Sequence, residues 1–205
     1  QQIALATDTS AALEYMLETI PSGSWEVLMQ AGSEAAGQEK LYMLEPRQPG
    51  KYPLVFVHGF LSSPAIWADI ANEIWARPNL RNCFQLMPYQ YPTGRPFVES
   101  AAILRRELQA FAKYYDPQQQ DPSMYNMAAI GHSMGGLVTK LTVTHSDDRL
   151  WYAIANKPLS DINASQESRD RLKEMFYFEP VPYMRRVVFL GAPHNGAMMA
   201  SRAVG

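Results

Sequence analysis

The sequence has few of the residues on which several common protein classes depend. Cys83 is the one cysteine among 205 residues, so no disulfide can form within the chain. Lysine and arginine number 18 against 20 aspartates and glutamates, and a net charge of −2 gives no electrostatic basis for binding nucleic acid. No apolar run approaches the roughly 20 residues that a membrane-spanning helix needs. We therefore predict no nucleic-acid partner, and membrane association only through a lipid substrate or through segments outside this sequence. The compartment stays open.

The rest of the composition is typical of one globular unit. A hydrophobic content of 47% is enough for one substantial core, and no internal repeat or low-complexity tract divides the chain. We expect a single domain over residues 1–205. Within it we distinguish an N-terminal part (1–50), a central part (51–145), an insertion (146–186) and a last part (187–205).

Apolar runs alternate with amphipathic segments along most of the chain. Runs such as "LVFV" lack a polar alternation, which is typical of strands covered on both faces in a parallel sheet. The predicted strands lie at 54–57, 83–91, 125–130 and 186–190, and the predicted helices at about 64–75, 97–115, 137–145 and 164–178. This order predicts an α/β fold with a mostly parallel sheet and helices on both faces.

Several local predictions accompany that fold. Ser63 is expected to cap its helix, with Ile66, Ile70 and Ile74 on the buried stripe. Asn163 or Ser165 is expected to cap the helix at 164–178. The N-terminal part is expected to hold an amphipathic helix at 10–20 and two antiparallel strands at 25–30 and 39–44. Cys83 is expected to be a small buried core residue rather than a reactive thiol.

Parallel sheets place their functional sites at the carboxyl ends of the strands. Three glycine-containing turns follow predicted strands: "HGF" at 58–60, "GHSMGG" at 131–136 and "GAPHNG" at 191–196. The second turn places Ser133 in a G-x-S-x-G pattern where a strand meets a helix. Such a bend lifts a serine hydroxyl above the sheet, and Gly131 and Gly135 leave room for the neighbouring backbone. Ser133 is therefore the candidate nucleophile.

A serine that attacks a carbonyl also needs hydrogen-bond donors for the developing oxyanion. The turn at Ser133 supplies one, the amide N–H of Met134. The loop "VHGF" after the preceding strand offers a second, the N–H of Phe60, with Gly59 allowing a close backbone approach. Two separate motifs therefore indicate one site.

The stretches "VFVHGF", "GHSMGG" and "VVFLGAPHNGA" resemble, in the same order, the α/β-hydrolases of the bacterial lipase and esterase branch. The resemblance runs from about Lys51 to Ala197. It implies Ser133 as nucleophile, Phe60 and Met134 as oxyanion donors, and no cofactor. In that family the catalytic Asp or Glu and the His follow on later strands. The resemblance therefore implies that both lie beyond Gly205, that the fold is incomplete at its C-terminal end, and that 187–205 begin the lid region. It further implies an unpaired strand edge there and little turnover for this chain alone.

The four histidines of the chain have subordinate predicted roles. His58 is expected to brace the oxyanion loop, and His132 to be the variable residue of the turn, pointing into the scaffold. The resemblance makes His194 a residue that fixes its loop through backbone hydrogen bonds, with a role as catalytic base as the alternative. His145 is expected to end a helix.

The remaining candidates are a pocket wall and a possible acid. Phe60, Leu61 and Trp151 are candidate walls of an acyl pocket. Asp147 and Asp148 are expected to form a solvated turn, with a contribution to the triad as the alternative. No spacing of acidic residues matches a calcium loop, and we predict no metal site.

The combined prediction is a serine hydrolase that cleaves carboxylic esters through an acyl-enzyme on Ser133, with an ester or lipid as its small-molecule substrate. The same residues would serve a thioesterase, an amidase or an acyltransferase. A hydrolase-like scaffold that acts as a non-catalytic interaction domain is a further alternative.

Overall fold

A computed structural model describes residues 39–195, and within this range five strands form one sheet. The sheet order is β1-β3-β2-β4-β5, in which β1 is antiparallel to β3 and every other neighbouring pair is parallel. The strands are β1 (Lys40–Leu41), β2 (Tyr52–Val57), β3 (Phe84–Gln90), β4 (Met127–His132) and β5 (Met184–Leu190). The predicted helix at 10–20 and the predicted strand at 25–30 lie outside the described residues.

Helices connect the parallel strands. In chain order they are α1 (Ala68–Ala76), α2 (Pro78–Arg81), α3 (Phe97–Tyr115), α4 (Met134–Lys140), α5 (Arg149–Tyr152) and α6 (Gln166–Phe176). Single 3-10 turns lie at Pro64–Trp67, Pro122–Tyr125 and Leu159–Asp161. No helix within 39–195 is both long enough and apolar enough to span a membrane.

The two faces of the sheet carry separate apolar clusters, because successive side chains of a strand point to opposite faces. On one face, Val55 and Val57 of β2 belong to the same cluster as Leu104 and Leu108 of α3. On the other face, strand residues pack with the α1 region in a cluster of Leu54, Phe56, Leu86, Trp67, Ala71 and Ile74. The prediction of a mostly parallel sheet with helices on both faces is confirmed.

The start of α1 confirms the predicted cap and corrects the predicted stripe. The Ser63 side chain accepts a hydrogen bond from the amide of Ala65, as expected of a cap. The first turn is a 3-10 helix, which has three residues per turn, and the buried stripe consists of Trp67, Ala71 and Ile74. Ile74 is therefore buried as predicted, and Ile70 is half-buried against the same cluster. Ile66 is exposed, so the prediction that placed it on the buried stripe was wrong.

Two further predictions were wrong near strand and helix ends. Cys83 is exposed, because it lies in the turn just before β3 instead of inside the strand. The helix expected to reach residue 145 ends at Lys140. The hydroxyl of Thr142 donates to the carbonyl oxygen of Thr139 at 2.7 Å, and threonine hydroxyls that bond to nearby backbone compete with regular helix.

The segment 146–186 packs on α3. Its main helix is α6, and the Ser165 side chain caps it by accepting a hydrogen bond from the amide of Ser168, as predicted. From α3, the Arg105 guanidinium donates to the carbonyl oxygen of Glu174 and lies 3.6 Å from the Phe178 ring centroid. A buried cation and its hydrogen bonds therefore attach this segment to the central part of the fold.

Candidate active site

Ser133 lies in the turn between β4 and α4. Its backbone has φ 51° and ψ −122°, a conformation that a residue with a side chain seldom adopts and that costs about 1–3 kcal/mol. The amide of Ser133 donates to the carbonyl oxygen of Leu190 at 2.9 Å, which ties the turn to the end of β5. The strand ends at His132, two residues later than predicted, and the helix begins at Met134. The strand, strained serine and helix follow one another as the G-x-S-x-G pattern predicts.

The two glycines of the pattern lie where the backbone is most crowded. A Cβ on Gly135 would come within 2.3 Å of the carbonyl oxygens of Val57 and His58. A Cβ on Gly131 would come within 2.6 Å of the Gly135 carbonyl oxygen and the Thr139 hydroxyl. Distances this short are not tolerated. The missing side chain at Gly135 therefore lets α4 pack against the end of β2, and the missing side chain at Gly131 lets the start of α4 pack back on β4.

The loop after β2 lies against the turn from the other side. A Cβ on Gly59 would stand 3.0 Å from the Cβ of Ser133 and 3.0 Å from Nδ1 of His132. The next residues of this loop, Phe60 and Leu61, have exposed side chains, and Leu61 has a positive φ of 54°. The structure therefore brings together the two motifs that the sequence analysis assigned to one site.

Two backbone donors close to this contact have no partner within the described range. Neither the amide of Phe60 nor that of Met134 donates a hydrogen bond to any residue between 39 and 195. For Met134 this follows from its position, because the first amides of a helix have no intrahelical acceptor. Among residues 39–195, no group therefore occupies either amide.

His58 lies buried beneath this loop. Its Nδ1 lies 3.0 Å from the carbonyl oxygen of Gly59, and because a carbonyl only accepts, Nδ1 carries the proton. The ring stacks on Tyr91 with centroids 4.4 Å apart, and its Nε2 is buried with no hydrogen-bond partner among residues 39–195. Burial lowers the pKa of the imidazole to about 4, so His58 is neutral at pH 7.

The other three histidines lie on the surface. His132 is exposed, which corrects the expectation that it points into the scaffold: Gly59 already occupies the space beside it. His145 lies 2.5 Å from the carboxylate of Glu179. His194 is exposed with its ring edge-on to Phe189, at a centroid distance of 4.6 Å. Residues 39–195 include all four histidines, and none of them hydrogen-bonds the Ser133 hydroxyl in this range.

The predicted pocket walls separate into two groups. Phe60 and Leu61 are 50% and 43% exposed and belong to the loop that contacts Ser133. Trp151 instead is buried in a cluster with Ala102, Met175 and Phe176, and its indole N–H donates to the Lys157 carbonyl oxygen. Trp151 is therefore a core residue of the segment after α4, which corrects its assignment as an open pocket wall.

The acidic candidates also lie at the surface. Asp147 and Asp148 are exposed in a turn, and Asp147 has a positive φ of 45°. Within the described part of the chain, no three His, Cys, Asp or Glu side chains are grouped so that they could hold a metal ion.

The sequence analysis missed two side chains that contact the loop after β2. Tyr91 and Thr93 belong to the stretch "YPTGRP", whose composition is typical of an ordinary turn. The Tyr91 hydroxyl donates to the His58 carbonyl oxygen at 2.6 Å, and the Thr93 hydroxyl accepts from the Leu61 amide at 3.2 Å. No local pattern signals these bonds, because they join residues more than thirty positions apart.

Comparison with known proteins gives similarities among solved structures alone. No family profile matches the chain, and no curated protein matches it. The chain resembles the mature form of a lipase from Bacillus licheniformis at a TM-score of 0.48 and 19% identity, over 81% of this chain and 52% of the lipase. It resembles a thermophilic esterase from Thermogutta terrifontis, solved with propionate, at a TM-score of 0.43 and 19% identity. The match covers 75% of this chain and 63% of the esterase. A carboxylesterase from Bacillus subtilis matches at a TM-score of 0.31 and 12% identity, over 91% of this chain and 74% of the carboxylesterase. The chain thus spans about half the length of the Bacillus licheniformis lipase.

Proposed function

We propose that this chain carries the nucleophile and oxyanion site of a serine hydrolase of the α/β-hydrolase fold that cleaves carboxylic esters. The observation that supports this most directly is Ser133 itself. Its backbone is held at φ 51° between β4 and α4, with Gly59 of the adjacent loop packed against it. Strain of this kind persists only where the surrounding structure enforces it, and it is concentrated at functional sites.

In the proposed reaction the Ser133 hydroxyl oxygen attacks the ester carbonyl carbon, and its proton passes to a general base. The carbonyl oxygen becomes an oxyanion, which accepts hydrogen bonds from the amides of Phe60 and Met134. The tetrahedral intermediate collapses and expels the alcohol, which takes the proton back from the base. Water then hydrolyses the acyl-enzyme by the same steps.

The general base is the component that the described residues do not supply. None of the four histidines hydrogen-bonds the Ser133 hydroxyl within 39–195. We therefore assign the base and its carboxylate partner to chain outside this range. The chain as printed is expected to turn over esters slowly or not at all.

A fluorophosphonate probe tests the nucleophile. The full-length gene product should be labelled, with the adduct mapped to Ser133 by peptide mass spectrometry. A Ser133→Ala variant that unfolds at the same temperature should not be labelled. A folded wild-type protein without an adduct at Ser133 would contradict the proposal.

The second candidate is a non-catalytic interaction domain, and the absence of a base beside Ser133 within residues 39–195 favours it. It predicts a folded protein that the probe leaves unlabelled. If Ser133 is labelled, a panel of p-nitrophenyl esters, a thioester and an anilide separates ester hydrolysis from thioesterase and amidase activity. Product analysis with an added alcohol identifies an acyltransferase.

A further inference from the structure

The loop after β2 is held by two buried side chains from the stretch after β3. The hydroxyl of Tyr91 donates to the carbonyl oxygen of His58 at 2.6 Å. The hydroxyl of Thr93 accepts from the amide of Leu61 at 3.2 Å. Tyr91 is 1% exposed and Thr93 is 3% exposed, so water does not compete for either bond. The two contacts lie on opposite sides of Phe60 in the chain.

These bonds fix the direction of one peptide group. The carbonyl oxygen of Gly59 lies 3.0 Å from His58 Nδ1, which donates to it. In a planar trans peptide the C=O and the following N–H point in opposite directions, so anchoring the Gly59 oxygen also orients the Phe60 amide. Three backbone groups next to that amide are therefore hydrogen-bonded. The His58 carbonyl oxygen accepts from the Tyr91 hydroxyl, and the Gly59 carbonyl oxygen accepts from the His58 ring. The Leu61 amide donates to the Thr93 hydroxyl. The Phe60 amide itself has no acceptor within residues 39–195.

The strained backbone of Leu61 needs this support. A leucine at φ 54° costs energy that glycine would avoid, and the conformation persists only if other contacts enforce it. The hydrogen bond from its amide to the Thr93 hydroxyl restrains the backbone at this residue. Tyr91 acts indirectly, through His58. Its ring stacks on the His58 ring, and its hydroxyl donates a hydrogen bond to the His58 carbonyl oxygen.

We propose that Tyr91 and Thr93 are positioning residues that hold the Phe60 amide in the orientation required for the reaction at Ser133. This inference rests on the proposed function, since it assigns the Phe60 amide to the oxyanion. Both side chains are buried, so each acts on the transition state through the loop and not through contact with substrate. Its loss therefore lowers kcat while KM changes little.

The test compares Thr93→Val, which removes the hydroxyl at nearly constant shape, with Thr93→Ser, which keeps it, and adds Tyr91→Phe. The complete protein is assayed with p-nitrophenyl butyrate. Thr93→Val and Tyr91→Phe should each lower kcat about tenfold, below the roughly 10²- to 10³-fold of deleting an oxyanion donor outright. KM should stay within about twofold, and Thr93→Ser should recover most of the lost kcat. Equal losses in the Val and Ser variants, or unchanged kcat in Val and Phe, would overturn the inference.

A matched control separates positioning from stability. Thr142 is also a buried threonine, and its hydroxyl donates to the Thr139 carbonyl oxygen at 2.7 Å. Thr142→Val should lower the unfolding temperature without lowering kcat. If it lowers kcat as much as Thr93→Val does, the effect is general destabilisation, and the assignment of Thr93 fails.

Backbone relaxation separates this inference from the proposed function. The ¹⁵N order parameter of Phe60 should be near 0.85 in the wild type and fall below about 0.6 in Thr93→Val and Tyr91→Phe. A Phe60 amide that stays rigid in both variants overturns the anchoring, whatever the activity. If the fluorophosphonate probe leaves the wild type unmodified while both variants lose order at Phe60, the hydrolase proposal and the catalytic role of the two residues are rejected, but the anchoring of the loop is confirmed.

Discussion

Strands β2 and β5 lie on either side of β4 and have similar apolar sequences, yet the loops that follow them are built differently. "LVFV" of β2 is buried, and in the loop after it His58 is buried and Leu61 is held in a strained conformation. "VVFL" of β5 is largely exposed, and in the loop after it His194 and Asn195 are exposed as well. Gly191 has φ +60°, and no atom of residues 39–195 lies within 4 Å of an added Cβ.

The difference comes from neighbours rather than from composition. β2 has hydrogen-bonded strands on both sides, whereas β5 pairs with β4 alone within residues 39–195. This agrees with the expectation of an unpaired edge there. A glycine-containing turn after a strand therefore does not by itself indicate a constrained site. The turn at Ser133 is crowded by the end of β2 and the loop after it, while the end of β5 contributes the hydrogen bond from the Ser133 amide to Leu190. Three experiments measure how unequal the two loops are.

The largest effect is expected for Gly135→Ala. The new Cβ would lie 2.3 Å from the carbonyl oxygens of Val57 and His58, so the end of β2 has to move. Alanine is favoured over glycine in a helix by about 1 kcal/mol, but the clash outweighs this. The free energy of unfolding should fall by about 3 kcal/mol, and labelling of Ser133 should be lost.

Gly191→Ala is the matched control in the loop after β5. The expected cost is that of the positive φ, roughly 1–2 kcal/mol, because no atom among residues 39–195 obstructs the new methyl group. Both variants are measured by urea unfolding monitored by tryptophan fluorescence. A loss for Gly135→Ala no larger than that for Gly191→Ala would show that the turn and the end of β2 are not in close contact.

The second effect depends on pH and belongs to His58. Burial lowers the pKa of this imidazole to about 4, against an ordinary value of 6.5. Between those values the unfolded chain binds a proton that the folded protein does not, so the stability from His58 is complete above pH 6.5 and is lost as the pH falls toward 4. The contribution of His58 to the free energy of unfolding should therefore be about 3 kcal/mol larger above pH 6.5 than below pH 4.

The measurement is the free energy of unfolding from pH 4 to 7 for the wild type and for His58→Phe. Phenylalanine keeps a flat ring to stack on Tyr91 and cannot titrate. Other groups, including the carboxylates, titrate in both proteins, so the difference between the two curves isolates His58. The difference should change by about 3 kcal/mol across the interval. Parallel curves would mean that the imidazole is not buried in the neutral form.

The sequence was sufficient to predict structural features whose cause lies within a few neighbouring residues. The turn at Ser133 follows from a strand, two glycines and a helix start within a few residues, and Ser63 and Ser165 cap their helices as their positions predict. The exposure of Cys83 depends on where β3 begins, and element boundaries are the least predictable feature of a sequence. Tyr91 and Thr93 reach the loop after β2 through bonds to residues 33 and 32 positions away. Their roles follow from the assembled sheet and from no nearby pattern.

The smallest of the three effects tests whether the loop after β5 is entirely separate from the turn at Ser133. A Cβ on Gly136 would lie 2.4 Å from the Cβ of Ala192, and its next nearest neighbour, the Gly131 carbonyl oxygen, would lie at 3.4 Å. Gly136→Ala alone should therefore cost about 2 kcal/mol. Ala192→Gly removes the obstructing atom, so the double variant should recover most of that loss, apart from the up to about 1 kcal/mol that a new glycine costs. A double-mutant cycle of unfolding free energies gives the coupling directly. If Gly136→Ala lowers the free energy of unfolding equally in the wild type and in the Ala192→Gly background, Ala192 does not contact the turn. The loop after β5 would then differ from the loop after β2 even more than the structure indicates.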